Sequence, residues 1–138
     1  MVKDTEKDEI RNWLCEVMPL YRQTENVTAN IYQVDSDGLP LDLESLSAIL
    51  DMLPQVLAKV KKMPKPHYNK LQQLQKDFRL LLDACIKSAR YTLKIEKKHS
   101  RLGFSMAVFW TNLAVSFKKS LAPKMDKLVR DFDKGGLL

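Results

Sequence analysis

The chain has little of what turns a backbone: only four glycines and six prolines in 138 residues. An all-β fold needs turn signals about every 8–12 residues, so this scarcity excludes one. Cysteine is also scarce. Cys15 and Cys85 are the only two, too few for the disulfide framework of a small secreted domain. Both fall on apolar faces of expected helices and read as reduced core thiols of a cytoplasmic protein; a Cys15–Cys85 bridge is geometrically allowed if the first and third helices touch. Long apolar runs are missing. The longest uncharged run, Leu102 to Phe117, is sixteen residues and contains Ser105, Thr111, Asn112 and Ser116. A bilayer span takes about 20 apolar residues, so this run reads as a buried helix. Met1 to Glu9 is dense in charge and lacks an apolar segment, so no secretory signal is expected. Neither G-x-x-x-x-G-K nor G-x-G-x-x-G occurs, which removes the usual phosphate cradles. With two histidines, His67 and His99, and no nucleophile beside a recognisable base, a catalytic triad is not expected and neither is an enzyme.

What the chain has is helical periodicity and unevenly placed charge. Residues 1–53 hold 4 Lys/Arg and 11 Asp/Glu, while residues 54–138 hold 19 and 6. The halves therefore differ in sign within a net charge of +6. Such asymmetry implies either pairing between the halves or an anionic partner for the basic one.

Four amphipathic segments are expected. The first runs from about Thr5 to about Val34, with Ile10, Trp13, Leu14, Val17, Tyr21, Thr24, Val27 and Ile31 at helical spacing. The second runs from an Asp42 N-cap to about Lys62, its seam formed by Leu43, Leu46, Leu50, Leu53, Leu57 and Val60. Met63-Pro64-Lys65-Pro66 is a stiff connector into the third, which continues to about His99 with Leu71, Leu74, Phe78, Leu81, Leu82, Cys85 and Ala89 on its core face. Arg101-Leu102-Gly103 reads as the turn into the fourth, from about Phe104 to Gly135-Gly136. Pro19, Pro54 and Pro123 lie inside these segments and predict kinks or breaks. Short connections make the expected fold all-α, an elongated antiparallel four-helix bundle (up-down-up-down), in one domain over residues 1–138. Phe104 to Phe117 is apolar nearly all round. That helix is either wrapped by the other three or carries an interface at Phe104, Phe109, Trp110 and Phe117.

Two constellations suggest metal and fall short of it. Glu96-Lys97-Lys98-His99 places a carboxylate and an imidazole on one helix face, as di-iron bundles do, but no second such pair exists. Asp35, Asp37, Gly38 and Glu44 resemble a twelve-residue calcium loop of the EF-hand type. Gln33 stands where that loop needs its first aspartate, and Pro40 where an apolar β-former belongs. The segment reads better as an Asp/Gly turn. No metal or cofactor is expected.

The basic stripe is the strongest functional signal. Lys76, Arg79, Asp83, Lys87, Arg90, Lys94, Lys97 and Arg101 recur on one narrow face of the third helix, and only Asp83 is acidic. Like charges one turn apart repel, so solvated faces normally mix signs. A plain solvated face accounts for the stripe without function. The functional reading is an anion-binding face, nucleic-acid backbone ahead of membrane or acidic protein, in a non-enzymatic accessory or scaffolding bundle. The competing reading is a protein-binding or homo-oligomerising bundle that uses the fourth helix. No small-molecule substrate is evident.

Overall fold

A computed structural model describes residues 4–28, 43–98 and 101–134, with side-chain surroundings over 6–28, 46–93 and 105–131. It holds four helices: α1 (Asp4–Thr28), α2 (Leu43–Lys62), α3 (Asn69–Lys98) and α4 (Arg101–Lys134). Contacts fix their directions. Asp77 meets Lys124 and Ser88 meets Thr111, so residue numbers rise along α3 as they fall along α4. Trp13 meets Gln75 and Tyr21 meets Phe78, so α1 and α3 run the same way. A cleft that brings Gln23 beside Asp51 and Met52, with His67 held by Glu9 at the other end, sets α1 and α2 antiparallel. The expected up-down-up-down bundle is the fold found. At about 1.5 Å per residue, the 34 residues of α4 make a rod of roughly 50 Å.

The expected core face of α3 is buried at every position, from Leu71 and Leu74 through Phe78 to Ala89. Gln75, Ala84, Ile86, Ser88 and Thr92 are buried as well, because α3 packs on α4, α2 and α1. The helix the others wrap is thus α3. In the first half of α4 the buried residues are small, Ala107, Thr111 and Ala114, with Met106, Val108, Leu113 and Val115 half-buried on the flanks; further on the seam continues with Leu121, Met125 and Leu128. Buried hydroxyls on these seams are satisfied locally. Thr24, Thr28 and Thr92 each donate to the carbonyl four residues back, and Ser88 and Thr111 share a 2.6 Å bond across α3–α4.

Several expectations are corrected. The seam of α2 is Leu46, Ile49, Leu53, Val56 and Val60, while Leu50 and Leu57 flank it half-buried. Both sets alternate three and four. Leu46, Leu53 and Val60 are buried as expected, and Ile49 and Val56, not Leu50 and Leu57, complete the seam. Pro19, Pro54 and Pro123 break nothing, since helix continues through each. The carbonyls they free belong to Cys15 and Lys119, both exposed, and to the half-buried Leu50. Buried neighbours (Val17 and Tyr21, Leu53 and Val56, Leu121 and Met125) offset the local cost of about 3 kcal/mol. Arg101-Leu102-Gly103 opens α4 instead of forming a turn. Its glycine lies in the first turn, where backbone N–H groups have no intrahelical partner anyway. Cys15 is exposed and Cys85 buried, and no disulfide joins them. The far end of the expected first helix, the Ser36–Pro40 turn, Asp42 and Gly135-Gly136 lie outside the described residues.

Tyr21 is buried edge-on against Phe78, with ring centroids 5.6 Å apart. Burial raises its phenol pKa above the usual 10.0, and the nearby carboxylates of Glu25 and then Asp126 push it further the same way. The indole N–H of Trp13 donates to Gln75 Oε1 at 2.9 Å, joining α1 to α3 inside the core. Trp13→Phe leaves that buried amide oxygen without its donor. The expected loss is about 1–3 kcal/mol, read as a lower urea midpoint at unchanged m-value.

Candidate anion-binding site

The last turn of α2 carries Lys59, Lys61 and Lys62, where cations suit the negative end of the helix dipole. The connector after it is pinned at several points. Met63 N–H donates to the Val60 carbonyl, Gln72 Nε2 donates to the Pro66 carbonyl at 2.7 Å, and His67 N–H donates to Glu9 Oε1 at 2.6 Å. Lys65 is therefore presented from a braced segment. The chain then re-enters as α3 antiparallel to α2, so residues equidistant from the connector face each other. Lys61 comes opposite Lys76, and Leu57 opposite Leu80.

The result is a cleft of about 490 Å³ with Lys61, Lys65, Lys76 and Arg79 on its walls and no acidic residue lining it. Lys61, Lys76 and Arg79 also border a second cleft of about 460 Å³ that continues along the α2–α3 groove past Leu57 and Leu80 to Asp83. All four cations are exposed, and none has an acidic partner among the described residues. The acids of α3 have partners of their own. Asp77 accepts a 2.8 Å bond from Gln73 and lies 3.8 Å from Lys124 of α4, and Asp83 pairs with Lys87 at 3.0 Å.

The basic stripe is thus divided. Lys76 and Arg79 join Lys61 and Lys65. Lys87 is occupied, paired with Asp83 and lying 4.3 Å above the Trp110 ring. Arg90 is exposed further along the same helix. The side chains of Lys94, Lys97 and Arg101 lie outside the described residues. Lys61 and Lys65 lie outside the stripe that the sequence marks on the third helix. Their convergence on Lys76 follows from the short connector, a signal present in the sequence. Gln75, buried at the cleft wall, was missed because a glutamine at a core-facing position carries no charge signal.

Of the aromatic residues expected at an interface, Trp110 and Phe117 pack half-buried against the core, and Phe109 is 55 % exposed. Phe109 and Trp110 meet edge to face at 5.2 Å. The side chains of Phe104 and of Glu96–His99 lie outside the described residues, as do Asp35, Asp37 and Gly38, while Glu44 stands in the first turn of α2. Among the described residues no three His, Cys, Asp or Glu side chains stand close enough to hold a metal ion, and no helix is long and apolar enough to cross a membrane. Comparison with protein-family models, curated proteins and solved structures finds no match to this chain.

Proposed function

We propose that the protein is a non-enzymatic accessory bundle that binds nucleic-acid backbone through the basic groove between α2 and α3. One observation carries the reading: four cations converge on a cleft that no acid lines, and Asp83, which borders the adjoining cleft, is paired with Lys87. Concentrating unpaired positive charge is costly to the isolated fold, and a phosphate partner relieves that cost. Contacts of this kind recognise phosphate and sugar, so binding is indifferent to base sequence. The groove offers no aromatic platform on which bases stack; its apolar members are Leu57 and Leu80.

The test is fluorescence anisotropy of labelled single- and double-stranded oligonucleotides. Four phosphate contacts give a slope of about −0.9 per contact on duplex and about −0.7 on single strands, so affinity falls by roughly 50- to 150-fold between about 50 and 200 mM salt. Absence of binding at the lower salt rules the reading out.

The exposed Phe109 favours a second reading, in which α4 meets a protein partner or a second copy. On that reading Phe109→Ser lowers the apparent mass in light scattering. A mass that is monomeric and unchanged by the substitution counts against self-association.

A further inference from the structure

We infer that the cleft between the end of α2 and the start of α3 is a pocket for a dianionic phosphate group, a phosphate monoester, so that on a nucleic-acid strand it holds a terminal phosphate. This rests on the polyanion reading above and narrows it.

The described cations are densest at one end of the groove. The next cation along α3, Lys87, is engaged by Asp83 and Trp110. At the N-terminal end Lys61, Lys65, Lys76 and Arg79 enclose one cleft of about 490 Å³. A backbone diester brings one negative charge per phosphorus. A monoester brings close to two at neutral pH, with three acceptor oxygens, and so gains more from clustered cations.

Gln75 supplies an independent observation. It is only 7 % exposed and lines the cleft. Its Oε1 accepts the Trp13 indole N–H, which can only donate, so the amide orientation is fixed with its NH₂ turned away from Trp13. That NH₂ makes no hydrogen bond to another described residue and is not among the sealed-off polar atoms, so it is open at the cleft wall. A donor so placed at the wall of a cationic cleft fits a phosphate oxygen. The cleft is also braced, since Gln72 ties its connector to α3 and Glu9 ties it to α1. Binding there requires little ordering of the backbone.

The chemistry is shared by strand ends and by free phosphate compounds, and the test separates them. Anisotropy on the full chain compares one 3′-labelled oligonucleotide bearing either a 5′-phosphate or a 5′-hydroxyl, and calorimetry measures inorganic pyrophosphate alone. The 5′-phosphate is expected to bind about tenfold tighter, the gain of one further charge-assisted contact. Lys65→Gln, at an exposed connector position, is expected to remove that preference, whereas Arg90→Gln weakens both oligonucleotides equally. Pyrophosphate binding lost in Lys65→Gln, without a strand-end preference, also supports the pocket and assigns it to free phosphate compounds. Equal affinity for both ends together with no pyrophosphate binding overturns the inference and leaves the backbone reading standing. Failure of both oligonucleotides to bind overturns the backbone reading itself.

Discussion

Lys76→Glu combined with Arg79→Glu is expected to weaken oligonucleotide binding by on the order of 100-fold at about 50 mM salt and to lower the salt slope by about 2. Both side chains lie on the wall between the two clefts, so the reversal acts on the whole α2–α3 groove. It removes two cations and places two acids opposite an incoming phosphate. Both residues are exposed and have no acidic partner among the described residues, so the fold loses no ion pair. Stability is therefore expected to stay within about 0.5 kcal/mol, or to rise slightly as repulsion with Lys61 is relieved. The informative control is Lys87→Met. Lys87 belongs to the same stripe, but it is held by Asp83 and Trp110. Its loss should lower stability modestly and leave binding close to that of the parent chain. Equal damage from both changes would mean that general charge, and not the groove, drives association.

Phe78→Ala has the largest expected effect on stability. Phe78 is 1 % exposed and sits where α3 receives Tyr21 of α1. Truncation loses the transfer free energy of the ring and leaves a cavity in a close-packed core, together about 3–5 kcal/mol. It also removes the edge-to-face contact with Tyr21, so α1 loses one of its two aromatic anchors to α3; Trp13 on Gln75 is the other. Against a total stability of about 5–15 kcal/mol for a domain, that loss is a large fraction of what holds the fold. Urea denaturation checks it: the midpoint falls sharply, whereas Phe78→Leu, which keeps most of the volume, falls much less. A Phe78→Ala protein as stable as its parent would contradict the packing of α1 on α3.

The fold was legible wherever one residue type repeats at helical spacing. Leu71, Leu74, Phe78, Leu81, Leu82, Cys85 and Ala89 mark the buried face of α3 without ambiguity, because the face is wide and its opposite side is charged. On α2, Leu46, Leu53 and Val60 were placed correctly, and weighting the leucines put Leu50 and Leu57 where their neighbours Ile49 and Val56 belong. Periodicity alone does not distinguish the centre of an apolar stripe from its edge. Of the two outcomes expected at the prolines, a kink or a break, the break does not occur, because propensity is local, whereas the burial that carries α1, α2 and α4 through them is tertiary. Cys15 was misplaced because it adjoins Leu14 in sequence, yet one step along a helix turns a side chain by about 100°.

The candidate site was half legible. The sign purity of Lys76, Arg79, Lys87 and Arg90 is a one-dimensional property and shows in the chain. The engagement of Lys87 by Trp110 is not, since it depends on the register of α4 against α3, which no periodicity encodes. The gathering of Lys61 and Lys65 beside Lys76 lies between these cases. It follows once the Met63–Pro66 connector is taken as a hairpin hinge, because the residues on its two sides then must face each other.

The most direct test of the groove as the binding surface is a two-dimensional amide NMR titration of the full chain with a short oligonucleotide at low salt. The expected result is a set of shifts centred on Lys61, Lys65, Lys76 and Arg79, extending weakly toward Arg90 and reversed by added salt. Shifts centred instead on Phe109 and the flanks of α4, or no shifts at all, would contradict it.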